Sequence, residues 1–211
     1  MKRSTIFIFF SFVFLFNITA KGQKPEELLK KVIDKLESYK NFKTELSYTM
    51  VNTEMNINEK KTGVLYVEGD KYRIEMEGQI IISDGKTIWT ILNDSEEVMI
   101  SSAEDNDDVI SPTKILSTYK DYDAKFSSSE NFKNSSIKKI CLRPKEGKKF
   151  EKLSVVVNYK NLSLESFSIY DKNGNVFTYY IINLQPDLDL PDNTFAFNPD
   201  DYPDYEIEDM R

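Results

Sequence analysis

Two short turns constrain this chain more than any other feature. Asp84-Gly85 lies between the β-rich runs Gln79–Ser83 and Thr87–Leu92, and Asn173-Gly174 lies between Ser163–Tyr170 and Val176–Leu184. Asp-Gly and Asn-Gly between such runs are the strongest short-range hairpin signals, because both residues tolerate the left-handed backbone that tight turns need. Between them, Lys71-Tyr72-Arg73-Ile74-Glu75-Met76 alternates strictly. Tyr72, Ile74 and Met76 fall on one face of a strand, and Lys71, Arg73 and Glu75 on the other. Leu153–Asn158 turns through Tyr159-Lys160-Asn161 into the run from Ser163. Hairpin following hairpin predicts an antiparallel sheet with sequential neighbours.

Helical spacing is confined to two places. Leu28, Leu29, Val32, Ile33, Leu36 and Tyr39 form one apolar stripe behind Pro25, with Glu26 and Glu27 in the first turn. Pro at the first helical position and acids beside the positive end of the dipole both favour a helix start there. In mid-chain, Ser111-Pro112 reads as a cap and first residue of a shorter helix, with Ile115 and Leu116 on one side. The acidic run Glu104–Asp108 lacks the spacing, glycine and closing glutamate of an EF-hand and reads as a solvated loop.

The N-terminus has the three parts of a secretory signal: Met1-Lys2-Arg3, an apolar stretch from Thr5 to Ile18, then Thr19-Ala20-Lys21-Gly22. The apolar stretch is about 14 residues, short of the roughly 20 that span a bilayer. Cleavage after Ala20 and after Gly22 both fit. The expected organisation is a signal peptide over 1–22 and a single exported domain over 23–211. Losing Lys2, Arg3 and Lys21 lowers the formal net charge from −7 to −10. Such an acidic domain is a poor partner for nucleic acid, whose phosphates need clustered cations.

Two shortages narrow the chemistry. The chain has no histidine and one cysteine, Cys141. No Ser-His-Asp or Cys-His arrangement, His/Cys zinc site or internal disulfide can form. Cys141 lies in the apolar run Lys139-Ile140-Cys141-Leu142 and reads as a small core hydrophobe. Gly85-Lys86-Thr87 spells the end of a phosphate-binding loop, but the glycine needed at position 80 is Ile80. The residues after Thr87, Ile88-Trp89-Thr90-Ile91-Leu92, favour a strand over the helix such a loop must open. The tripeptide is expected at a hairpin tip.

The stretch Ser83-Asp84-Gly85-Lys86-Thr87-Ile88-Trp89 resembles a motif of the periplasmic outer-membrane lipoprotein carriers, the LolA family. Gly63-Val64-Leu65-Tyr66-Val67 and Lys71-Tyr72-Arg73-Ile74 are similar to the family's glycine-aromatic strand and the strand after it. Ser111–Leu116 sits where the family has its mid-chain helix, and Leu190-Pro191-Asp192 through Phe195-Ala196-Phe197-Asn198-Pro199 resembles its C-terminal pattern. The resemblance implies an α+β fold, mostly antiparallel: an incomplete β-barrel covered by helices and enclosing an apolar cavity. It implies a monomeric, soluble periplasmic carrier, not an enzyme, with no cofactor and no metal. Its partners would be acylated lipoproteins, an inner-membrane lipoprotein-releasing ABC transporter and an unidentified outer-membrane acceptor. One departure stands out: where a studied branch has an arginine just before a proline, this chain reads Glu68-Gly69-Asp70, and Arg73 matches a different position.

A carrier of acyl chains needs adaptable apolar walls rather than catalytic groups. Tyr72, Ile74 and Met76, with Trp89 and Ile91 after the hairpin, are the expected sheet wall. Leu29 and Ile33 of the first helix, with Ile115 and Leu116 of the mid-chain helix, are the expected lid. Each of these residues also suits a filled core. Two other readings remain at this level: a sensor or binding module of the same fold for another lipid or envelope-stress ligand, and a glycosidase using two carboxylates. The acids lie mostly in loops, without a paired pattern.

Overall fold

A computed structural model describes residues 23–103, 121–127, 136–145 and 150–211. The expected signal segment, the acidic loop and the mid-chain helix with Ile115 and Leu116 lie outside the described residues. The described chain is one α-helix, a short 3-10 turn at Pro199–Asp201 and a 12-stranded open sheet. Helix α1 spans Pro25–Glu37, as its stripe predicts, and ends where the Ser38 hydroxyl donates to the Lys35 carbonyl at 2.7 Å.

The strands are β1 (Phe42–Asn52), β2 (Ile57–Glu68), β3 (Lys71–Met76), β4 (Gln79–Ser83), β5 (Thr87–Leu92), β6 (Glu97–Ser102), β7 (Tyr122–Phe126), β8 (Ile137–Pro144), β9 (Phe150–Asn158), β10 (Ser163–Asp171), β11 (Val176–Pro186) and β12 (Glu206–Asp209). Their order across the sheet is β12-β6-β5-β4-β3-β2-β1-β11-β10-β9-β8-β7. Two meanders, β1–β6 and β7–β11, are joined along β1 and β11 by a register running from Val51↔Val176 to Phe42↔Pro186. Every pairing is antiparallel except β12 beside β6. The mostly antiparallel, incompletely closed α+β architecture matches the expectation from the sequence.

The turns form as their residues dictate. Gly85 takes φ +93° between β4 and β5, and the Asp84 carboxylate accepts the Lys86 and Thr87 N–H groups at 2.8 and 2.7 Å. Gly85-Lys86-Thr87 therefore runs from a hairpin tip into β5, not into a helix. Gly174 takes φ +81° between β10 and β11, where Asp171 accepts the backbone N–H groups of Asn173 and Asn175, each at 2.8 Å. Both loops exceed two residues, because an aspartate at the strand end captures the first amides of the turn.

The register assigns every strand residue to one of two faces. The inner face carries α1. Leu28, Leu29, Val32 and Ile33 pack there on Ile140, Leu142, Leu153, Val155, Phe167 and Ile169 of β8–β10. Beside them, Phe42, Leu46, Leu65, Val67, Tyr72 and Ile74 of β1–β3 form a second inner cluster, touched by Leu36 and Tyr39 at the end of α1. Among the described residues, the outer face is covered only in part. There the C-terminal segment lays Phe197, Tyr202 and Tyr205 over Ile82, Ile91 and Val98 before β12 joins the edge of β6. No described helix is long and apolar enough to cross a membrane.

Candidate functional site: a cleft where the sheet forks

Strands β10 and β11 pair from Tyr170↔Val176 to Ser166↔Tyr180 and then part. Beyond that point β10 stays with β9, through Leu164↔Val157 and Ser163↔Asn158. Strand β11 stays with β1 as far as Pro186. Each carries an irregularity at the parting: the β9–β10 register shifts between Leu164 and Ser166, and the β1–β11 register shifts between Lys43 and Glu45. Leu162 and Asn183 hold left-handed backbone at φ +57° and +53°. An extra residue in one strand bends it and ends local pairing, so these bulges swing the two strands apart.

A cavity of about 310 Å³ fills the fork. Its roof is Lys35, Leu36 and Tyr39, at the C-terminal end of α1. One wall is Leu162, Leu164 and their neighbours Ser163 and Glu165, and the other is Ile181, Asn183, Leu184 and Pro186. The lining mixes the aliphatic side chains with Lys35, Tyr39, Ser163, Glu165 and Asn183, and its exposed surface is somewhat more polar than apolar. Lys35 Nζ donates to the Asn161 carbonyl at 2.6 Å, and the Ser163 hydroxyl donates to Glu165 Oε1 at 2.6 Å. The volume is at the lower end of the roughly 300–1,000 Å³ of small-molecule sites. Among the described residues no group of acidic or cysteine side chains could hold a metal ion.

The expected site residues divide between three places. Leu29 and Ile33 are buried in the helix–sheet core, at 0% and 6% exposure. Tyr72, Ile74 and Met76 share the inner face as predicted, and the residues that pack against their cluster include Leu36, Tyr39, Ile181 and Leu184 of the cavity wall. Trp89 and Ile91 stand apart from them. Their partners in register are Ile82 and Ile80, which puts them on the outer face with Arg73. Trp89 stacks there on Phe197, with ring centroids 5.8 Å apart and planes 19° from parallel. The β5 residues that face inward are Ile88, Thr90 and Leu92, of which Ile88 is buried opposite Ser83. Ile115 and Leu116 lie outside the described residues. Arg73 forms an ion pair with Glu75 on the outer face.

Burial also marks the tyrosines of the inner face. It pushes the phenols of Tyr72 and Tyr179 up to about 12. For Tyr72 the neighbouring Ser83 hydroxyl works weakly against burial, and for Tyr179 the Tyr48 phenol adds to it. Tyr179 stacks on Phe167 at 4.6 Å and closes the far side of the core. Both phenols stay neutral at physiological pH. The fork cavity escaped the sequence, because no glycine marks the register shift between Leu164 and Ser166 or the one opposite Asn183.

An open antiparallel sheet, a helix laid across one face and a cleft beneath the helix end make a scaffold suited to binding. The family model described as outer membrane lipoprotein carrier protein LolA matches residues 37–198. The chain belongs to that family. Among solved structures it is similar to an uncharacterised conserved protein from Thermus thermophilus, at 12% identity and TM-score 0.56, covering 86% of this chain and 98% of that one. It is also similar to a DUF1329 family protein from Desulfovibrio piger, at 14% identity and TM-score 0.51, covering 82% and 98%. A LolA superfamily protein from Nitrosomonas europaea aligns at 12% identity and TM-score 0.45, over 83% and 98%. No curated protein matches the chain. Family membership supports a lipoprotein-binding or carrier-like role.

Proposed function

We propose that the protein is an exported, periplasmic carrier that shields the acyl chains of lipoproteins between α1 and the inner face of the sheet. Its route would run from an inner-membrane lipoprotein-releasing ABC transporter to an acceptor at the outer membrane. The observation that carries this reading is the fork cavity: a cleft beneath one helix end, lined by aliphatic and polar side chains, that shares Leu36, Tyr39, Ile181 and Leu184 with the apolar cluster around Tyr72 and Ile74. Each methylene withdrawn from water is worth roughly 0.8 kcal/mol, so even part of one chain gives useful affinity without any charged contact. The cavity is smaller than a whole acyl chain needs, and loading would enlarge it by lifting the end of α1 from Ile181 and Leu184. Direction would come from relative burial, since the one phosphate-loop-like tripeptide is a hairpin tip. Residues 1–22 would be removed on export, leaving 23–211 as one domain.

Native mass spectrometry of the mature protein purified from its own cell envelope tests this. A co-purifying acylated polypeptide is the expected result. Free lipid alone would redirect the reading to another lipid on the same scaffold. A protein that leaves the envelope empty and takes up no triacylated lipopeptide when offered one refutes it.

A further inference from the structure

The inner face holds a polar pair that burial of hydrocarbon leaves unused. Tyr72 and Ser83 stand opposite each other in the β3–β4 register, at 4% and 1% exposure. Ser83 Oγ accepts the Gly85 N–H at 3.1 Å, which leaves its own hydrogen to donate. The Tyr72 hydroxyl is buried and has no hydrogen-bond partner. Ser83 is near enough to influence the phenol, yet no bond of acceptable geometry joins them. Among the described residues the other buried hydroxyl without a partner is Ser154, on the outer face opposite Cys141 and Ser168.

A buried hydroxyl with no partner forfeits the bonds it made to water. Phenylalanine would fill the same space between Val67 and Ser83 without that loss, and the neighbours of Tyr72 in its cluster, Phe42, Leu65, Val67 and Ile74, are wholly apolar. The phenol is therefore a cost to the empty fold. The same cluster adjoins the fork cavity through Leu36, Tyr39, Ile181 and Leu184. Neither hydroxyl lines the cavity itself, so a chain seated there would reach them by running along this cluster with its one polar end towards Tyr72 and Ser83. A carbonyl oxygen has two lone pairs, and the two hydroxyls on adjacent strands offer two hydrogens.

We propose that the Tyr72 and Ser83 hydroxyls donate together to the carbonyl oxygen that heads a bound acyl chain, so that the site prefers acyl groups over plain hydrocarbon. The proposal rests on the acyl-carrier reading above and names the contact by which the cargo is recognised. The carbonyl belongs to an ester, an amide or a free acid, and the probes separate these sources.

The experiment uses mature wild-type protein and Tyr72→Phe, with methyl dodecanoate, N-methyl dodecanamide, dodecanoic acid and dodecane competing against an apolar fluorescent dye. Tyr72→Phe is expected to weaken binding of the carbonyl-bearing probes roughly tenfold, the effect of one lost neutral hydrogen bond. Dodecane affinity stays unchanged, and the melting temperature stays equal or rises. Loss confined to the acid identifies free fatty acid as the source, and loss with the ester or amide identifies linked chains. Unchanged ester, amide and acid affinity in Tyr72→Phe overturns the proposal. So does a marked fall in its melting temperature, which would reveal a structural partner for the phenol. If wild-type protein binds none of the four probes but takes up a triacylated lipopeptide, this proposal fails and the carrier reading stands; if it takes up neither, both fail.

Discussion

Trp89 is the chain's single tryptophan, so its fluorescence reports on one place only. That place is the outer face, where Phe197 stacks on it and Tyr202 stacks on Phe197 in turn at 5.6 Å. Truncating Phe197 to alanine removes the middle ring of this ladder. A fully buried phenylalanine costs about 3–5 kcal/mol on truncation to alanine. Phe197 is half-buried and lies at the rim of its cluster, so about 2 kcal/mol is expected, of which roughly 1 kcal/mol is the ring–ring term. The Trp89 emission should shift to the red in the native state as water reaches the indole, while far-ultraviolet circular dichroism stays unchanged. Urea denaturation gives the stability loss, and a double-mutant cycle with Trp89→Leu, followed by circular dichroism, isolates the coupling.

The same tryptophan decides which face takes cargo. Acyl chains brominated along their length quench only indoles they approach. If chains lie between α1 and the inner face, they leave Trp89 emission untouched. In a Trp89→Phe background, a tryptophan substituted for Tyr39 on the cavity roof should be quenched strongly. Quenching of Trp89 with no quenching at position 39 would refute the assignment of the inner face, whatever the affinity measured.

The packing and one turn aspartate set two further outcomes. Leu29→Ala should lower unfolding free energy by about 3 kcal/mol in urea titration, since Leu29 is fully buried between α1 and β8–β10; a loss below about 1 kcal/mol would mean that the helix is not docked there. Asp171 is pushed up by burial, but the hydrogen bonds from the Asn175 side chain and from the Asn175 and Asn173 amides outweigh this, so its folded pKa lies below 3.8. Its stabilisation is full above that value and fades as pH falls through the folded pKa. The stability gap between wild type and Asp171→Ala should stay level at neutral pH and shrink on acidification below about pH 4; a gap that widens would reverse the argument.

The fold was legible wherever one face of a strand met water. Lys71–Met76 alternates because Arg73 and Glu75 lie on the sparsely covered outer face, and the structure keeps that phase. The same logic failed at β5, where Ile88 and Ile91 are both buried, at 2% and 0% exposure. A strand covered on both faces loses its alternation, so Trp89 and Ile91 could not be told from inward residues. The second face is covered by the C-terminal ladder of Phe197, Tyr202 and Tyr205, a contact across more than 100 positions that no local pattern encodes. Strand β12 is equally hidden: Glu206–Asp209 has little β propensity, and it pairs because the preceding segment is anchored beside β6. The fork was illegible for another reason. It arises from register shifts on two different strand pairs, and its cavity exists only because they occur at the same end of the sheet.

The placement of these shifts bears on how a cleft can load without unfolding its host. The helix is fixed to β8–β10 by Leu28, Leu29, Val32 and Ile33, whereas Leu36 and Tyr39 are only partly buried and bridge to the second inner cluster. At one end of this bridge Lys35 is tied to the Asn161 carbonyl. At the other, Asn41 is buried and held to Leu188 by two hydrogen bonds, of 3.0 Å from its Nδ2 and 2.8 Å to its Oδ1. The segment over the cavity thus lies between two fixed points, each bonded to backbone of the opposing wall region. Under the carrier proposal, lifting Leu36 and Tyr39 would expose apolar surface that an acyl chain then re-covers, so the free energy of loading would be the difference between two burials rather than the whole of one. Weak net binding is what a carrier needs if it is to surrender its cargo to a better apolar site. A donor pair at Tyr72 and Ser83 would add selectivity to that small difference without deepening it for hydrocarbon at large.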